Sequence, residues 1–361
     1  MSFLHPIFQY EEALLQNSEL EHIKLESEQL RQRFRELKNV LKKQKLAHTK
    51  VKIDATPLTE MSYVYQSEGV VSEEGANPFL EHLPPDTPVY RYDRQCVMES
   101  LLPPYSVEDR FIVLKHFPPE IFADFEEELP QRCDYSPPLQ ILIIKMPSQP
   151  HEEAAASFEI MIGTISTKMQ VYRRIAGCGA TRIDTPGRSK QADRSWKPAR
   201  QAREFPTVAL EVGFSETTAK LEKDIAWWIN ESKGEVRMGV TVDIKRRSGC
   251  IEIKSWTPAF EPSLHLDYVA GSGRHVVKRH IDNLPPPQIA QRVLLKRGRD
   301  GSGPTIEGEG LTIPFHTLLL DEPGEGEGDF VLTAEMLLHD LAERVWDAIE
   351  DAEKIQAQKR S

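Results

Sequence analysis

Apolar residues run almost unbroken through Pro206-Thr207-Val208-Ala209-Leu210-Glu211-Val212-Gly213, where the only charge is Glu211. A short continuous apolar run bounded by turn residues predicts a strand buried on both faces, with one carboxylate placed among its core positions. The period then changes. Over residues 215–229, Leu221, Ile225 and Trp228 share one stripe of a helix, and Lys220 and Asp224 lie on the stripe beside it. Apolar runs over residues 236–244 and 250–256 predict two further strands, giving strand, helix, strand, strand.

Further strands are expected at residues 111–115 and at 139–146, the second on the Ile-Leu-Ile-Ile run and at an edge or flank of the sheet. Residues 151–172 predict a long helix, with Ala155, Phe158, Ile162, Ile165, Met169 and Tyr172 at helical spacing and Glu152, Glu153 and Glu159 upon it. After Pro285-Pro286-Pro287 a strand is expected at 291–296, another at 308–315 with an apolar lead-out over 318–320, and a flexible acidic loop at 324–329. A closing helix follows from Thr333 as N-cap, with Leu337, Leu341, Val345 and Ile349 four apart. Toward the N-terminus, residues 6–46 predict an amphipathic helix or helical hairpin, and 51–88 a linker or surface excursion. The expected division is 1–50 helical extension, 51–88 linker, 89–346 α/β core and 347–361 end of the last helix and tail.

With 361 residues, 39% of them hydrophobic, the chain can bury a sizeable core. Its formal charge of −11 means that any contact with nucleic acid must come from a local basic patch. Two stretches offer one. Arg31, Arg33, Arg35, Lys38, Lys42, Lys43 and Lys45 are interspersed with Glu26, Glu28 and Glu36, as on a solvated helix face. Arg173, Arg174, Arg182, Arg188, Lys190, Arg194, Lys197, Arg200 and Arg203 have few acids between them and would form a patch if they share a face. The four cysteines show no CxxC pair and no nearby histidine pair, so neither a zinc site nor a disulfide framework is indicated. No signal pattern and no membrane-spanning apolar run is seen, so the expected location is intracellular, nuclear or cytoplasmic.

The Leu210-Glu211-Val212-Gly213 strand, the helix with Leu221, Asp224 and Trp228, and the preceding Lys190-Gln191-Ala192-Asp193 resemble the PD-(D/E)XK, restriction-endonuclease-like superfamily, in particular a fungal nuclease-like branch. The resemblance implies a mixed central sheet flanked by helices and metal-dependent cleavage of phosphodiester bonds in DNA or RNA. It implies Asp193 and Glu211 as carboxylates holding Mg2+ or Mn2+, with the Val212 carbonyl as a further ligand. Hard cations take oxygen ligands and lower the pKa of a bound water. Glu152, Glu153 or Glu159 could complete the shell, and Lys190, Arg194 and Lys197 would meet nucleic acid. Two positions depart from the motif: Ala192 stands where proline is usual, and Gly213 where the catalytic lysine is usual. The resemblance allows the lysine to move onto the helix, at Lys220, with Lys223 and Lys190 as weaker substitutes.

Each of these residues also has a bland reading. Glu211 could cap the following helix or pair with an arginine, Asp193 could form a turn, and Lys220 with Asp224 could be an exposed i, i+4 pair. Of Trp227 and Trp228, one is expected in the core and the other half exposed. His151 opens a helix and could ligate a metal or contact phosphate, but as a lone histidine it reads as a capping or packing residue. Two functional alternatives therefore stand beside the nuclease: a catalytically degenerate fold that binds nucleic acid or protein, and a scaffold that engages a protein partner or a second copy through the N-terminal helix.

Overall fold

A computed structural model describes residues 77–92, 108–124, 132–179, 181–214, 217–259, 284–298 and 302–360. The chain divides at Val64/Tyr65, and every described residue belongs to the second unit. The N-terminal helix, its basic run and most of the expected linker lie outside the described residues.

The architecture is α/β, with a mixed central sheet flanked by helices. Its core begins with helix α2 (Gln149–Lys168) and strands β5 (Ile175–Gly177), β8 (Arg194–Pro198) and β9 (Val208–Phe214). Helix α3 (Thr218–Glu231) then crosses to β10 (Met238–Lys245), which lies parallel to β9. The antiparallel strands β11 (Cys250–Thr257), β12 (Gln288–Lys296) and β13 (Thr305–Glu307) complete a seven-stranded sheet in the order β13-β12-β11-β10-β9-β8-β5.

Strand β9 is buried throughout, as a central strand covered on both faces must be. Val208, Leu210, Val212 and Phe214 pack on α2 and the closing helix, while Ala209 joins Ile225, Trp228 and Ile229 of α3 on the opposite face. By alternation Glu211 and Gly213 also face α3. The helix starts where Thr217 caps it, its hydroxyl accepting from Lys220 N at 3.2 Å. It lies close on the sheet at two glycines. A Cβ at Gly213 would meet Leu221 carbon atoms at 2.8, 3.1 and 3.3 Å, and one at Gly239 would meet Ile225 Cγ2 at 2.6 Å. Gly213 is therefore glycine because α3 occupies the space that a lysine's Cβ would need.

A second, six-stranded sheet was not expected. It comprises β1 (Val89–Arg91), β2 (Arg110–Lys115), β3 (Cys133–Ser136), β4 (Ile141–Met146), β6 (Arg182–Asp184) and β7 (Ser189–Gln191), in the order β1-β2-β4-β3-β7-β6. The Ile-Leu-Ile-Ile strand, expected at an edge or flank, is β4 in its interior, paired on one side with β2 and on the other with β3. One face packs on short helix α1 (Pro119–Asp124) and the other on Leu80 and Leu83, which lie within the span expected to be a linker. The chain passes from this sheet to the central one between β7 and β8, at Ala192 and Asp193.

Other boundaries differ locally. The long helix ends at Lys168 because Gln170 takes φ 60°, leaving Tyr172 in a 3-10 turn and exposed rather than in the core. The lead-out over 318–320 is not extended: Phe315–Leu319 forms the short helix α4, between strands β14 (Gly310–Ile313) and β15 (Phe330–Thr333). Thr333 caps the closing helix as expected, accepting from Met336 N. That helix runs as α5 (Ala334–Met336), a π-helical turn over Leu337–Ala342, and α6 (Glu343–Arg360). Among the described residues no helix is long and apolar enough to cross a membrane.

Candidate functional site

Asp193 sits where the chain changes sheets, and its amide donates to Leu210 O at 3.1 Å, which sets it beside Glu211 on the neighbouring strand. Both carboxylates, with Lys220, line one small cavity of about 20 Å³, together with Arg132, Asp134, Lys145, Lys190 and Asp224. A cavity of that size holds about one water molecule. Two linked ion clusters fill the surrounding space.

The first is centred on Asp193. Its Oδ1 accepts from Arg132 Nη1 at 2.5 Å and lies 3.2 Å from His151 Nε2, while Oδ2 accepts from Val212 N at 2.6 Å and lies 3.6 Å from Lys145 Nζ. Lys145, from β4, also donates to Val212 O at 3.0 Å. The ammonium thus occupies the place where the Asp193 carboxylate and the Val212 carbonyl converge. Burial alone would lift the Asp193 pKa, but Arg132, then His151 and Lys145, outweigh it and hold the carboxyl well below the usual carboxylate range. His151 is fully buried, with Nδ1 2.9 Å from Asp109 Oδ2. Asp109 in turn accepts from Ser148 N and Oγ, both at 2.8 Å, and from Phe214 N at 3.1 Å. Burial would lower the His151 pKa, yet Asp109 and Asp193 raise it.

The second cluster is centred on Lys190, whose Nζ lies 3.1 Å from Asp224 Oδ2, 3.3 Å from Glu211 Oε1 and 3.9 Å from Asp134 Oδ2. Glu211 Oε1 also accepts from the Trp228 indole at 2.6 Å. Arg188 joins Asp134 to Asp224, donating through Nε at 2.6 Å and through Nη2 at 2.8 Å respectively. Lys220 donates to Asp224, so the two form an i, i+4 pair, but a buried one rather than the exposed pair the spacing suggested. Burial would lower the Lys190 pKa and Asp224, Glu211 and Asp134 raise it instead, so its charge persists. Asp224 is held well below its usual range by Lys190, Lys220 and Arg188 against the cost of burial. Glu211 is different. Burial pushes it up to about 7, and Asp193 and Asp224 reinforce that shift against the pull of Lys190.

The remaining predicted residues are scattered. Glu152 is half-exposed and reaches the first cluster only through Arg132, at 2.6 Å; Glu153 pairs with Arg344 at 2.7 Å and Glu159 with Arg194 at 2.8 Å. Lys223 donates to Pro78 O. Nor do the arginines and lysines around Asp193 share one open face. Arg188 and Lys190 are internal, Arg194 is paired with Glu159, and Arg174 with Asp321 and Glu327, at 2.7 and 2.8 Å. Trp228 is buried, and Trp227 is half-buried with the Arg188 guanidinium 5.1 Å over its ring. Asp109, Arg132, Asp134 and Lys145 had not been singled out. The one signal for Lys145 is a lysine closing the Ile-Leu-Ile-Ile run. An open cavity of about 930 Å³ between the β10–β11 turn, the end of β12 and α6 touches none of the predicted site residues.

No protein-family model and no curated protein matches this chain. Among solved structures, a "putative nuclease belonging to DUF820" from Anabaena variabilis is similar over 38% of this chain and 80% of its own, at 16% identity and a TM-score of 0.28.

Proposed function

We propose that this chain is a nuclease-fold module that has replaced metal chemistry with an internal ion cluster and acts by binding rather than by hydrolysis. The observation that carries this reading is the placement of Lys145 and Lys190. Each ammonium lies against the oxygens that a Mg2+ or Mn2+ ion would need: Lys145 against Asp193 and the Val212 carbonyl, Lys190 against Glu211. The acids Asp109, Asp134, Asp193, Glu211 and Asp224 are matched by Arg132, Lys145, Arg188, Lys190 and Lys220, so a divalent cation would meet no net negative charge. The donor set does not fit such an ion, and among the described residues no group of three acids, histidines or cysteines is arranged to hold one. The cavity is also too small for a phosphodiester.

One observation favours a second reading, a hydrolase in which Lys190 takes the place expected of Lys220. Glu211 is the one acid of the cluster left under-compensated, with a pKa near neutrality, as a general base requires. Nicking of supercoiled plasmid by the full chain with Mg2+ or Mn2+ separates the two. The binding reading expects no activity above background from the wild type. Metal-dependent nicking that disappears in both Asp193→Asn and Glu211→Gln would establish the hydrolase instead.

A further inference from the structure

Away from the closed clusters, basic side chains gather at the N-terminal ends of β9 and β10. Arg203, in the β8–β9 loop, reaches Glu235 with Nη2, at 3.2 Å to its carbonyl and 3.3 Å to its carboxylate. Lys197, on β8, donates to the Arg203 carbonyl at 3.2 Å. Arg237 stands just before β10, where its amide is tied to Thr207 O at 2.8 Å. Among the described residues Glu235, 42% exposed, is the only acid paired with any of these cations, and the Arg203 side chain is 10% exposed.

The arrangement leaves donors and charge uncompensated. The Nε atoms of Arg203 and Arg237 are buried with no hydrogen-bond partner among the described residues. A buried N–H left unmade costs about 1–3 kcal/mol, and a guanidinium cannot escape by losing its proton. Burial and the charge of Arg203 both act against the charged form of Arg237. An oxyanion received beside the two guanidiniums would relieve the repulsion between them, and the guanidinium fork suits phosphate oxygens.

We infer that Lys197, Arg203 and Arg237 form a phosphate-binding site for the backbone of a nucleic acid. The backbone source is favoured over a lone phosphate because positive charge continues beyond the two guanidiniums, at Arg200 on the same loop and at Arg173 in the 3-10 turn before β5. Arg200 and Arg173 are exposed, have no ion-pair partner among the described residues, and line a cavity of about 240 Å³. This inference rests on the binding reading above and names its ligand, but none of these residues touches Glu211 or Asp193, so the nicking assay and the binding assay can fail separately.

The test is fluorescence anisotropy of a short labelled single-stranded oligonucleotide with the full chain across a salt series, beside a thermal-shift titration with inorganic phosphate. Wild type should bind the oligonucleotide, and Arg203→Gln with Arg237→Gln should weaken binding about tenfold or more and reduce the salt slope by about 1–2. Because Arg203 is nearly buried, Arg237→Gln and Arg200→Gln are measured singly as milder variants, each with its own melting curve. Arg292→Gln, at an exposed arginine paired with Glu252 on the far side of the sheet order, should bind as wild type does. No binding by wild type at low salt, unchanged affinity in the variants, or stabilisation by phosphate with no affinity for the oligonucleotide would each overturn the proposal.

Discussion

The Lys190 cluster and the Arg203–Arg237 cluster are both built from basic and acidic side chains, yet they differ in how their charges are answered. Lys190 is buried, with Asp224, Glu211 and Asp134 around it. Arg203 is paired with one half-exposed acid, Glu235, and both Arg203 and Arg237 keep a buried Nε donor unpartnered among the described residues. A cation enclosed by acids is part of the scaffold, since breaking a buried pair strands a charge. One that lacks its acid at the surface is available to a ligand. The position where the resemblance would put a catalytic metal is thus filled by paired charges, and the Arg203–Arg237 cluster is the less satisfied of the two.

The largest effect that would separate the two regions is expected at Asp193. Asp193→Ala leaves Arg132, Lys145 and His151 without their common carboxylate, and urea denaturation should show a loss of about 3–5 kcal/mol, the cost of stranding buried charge. Lys190→Met should come close behind, at about 3 kcal/mol or more, because Asp224 and Glu211 lose a shared ammonium. Gly213→Ala, which forces a Cβ onto Leu221, should cost about 1–3 kcal/mol by overpacking. Arg237→Gln, in the open cluster, should stay within about 0.5 kcal/mol of wild type. A stability loss there as large as at Lys190 would erase the distinction.

Glu211 gives the comparison its pH dependence. Its pKa is raised from 4.5 to about 7 in the folded chain, so the native state binds the extra proton over that interval and this group makes stability fall as pH rises through it. Asp193 and Asp224, held low, contribute the opposite way: their stabilisation is present above the usual carboxylate range and is lost only as pH falls below it. Glu211→Gln imitates the protonated acid and keeps an oxygen for the Trp228 indole. It should melt close to wild type at about pH 4, below both pKa values, and above wild type at pH 8.5, where the wild-type carboxylate is ionised in the folded and unfolded chain alike. Equal shifts at both pH values would contradict the assignment.

The elements flanking the site were legible in the sequence because each carries its own signal: an unbroken apolar run for β9, an apolar stripe for α3, and the capping Thr333 before α5. The juxtaposition of Asp193 with Glu211 came from the resemblance and not from spacing. The second sheet was largely hidden, because β3, β6 and β7 are three or four residues long and mostly polar, too short to show alternation. Lys190 looked like a surface residue because the acids that bury it, Asp134, Glu211 and Asp224, come from three different elements. Gly213 read as a missing lysine; the closeness of Leu221, which explains the glycine, appears only when α3 is laid on the sheet.

The central claim is that Lys145 and Lys190 occupy the ground a catalytic cation would need. Electron paramagnetic resonance of Mn2+ titrated into the full chain tests it most directly, with Asp193→Asn and Glu211→Gln alongside. The account predicts identical free-ion signals for all three proteins. One equivalent of Mn2+ bound by wild type and released by both substitutions would contradict it.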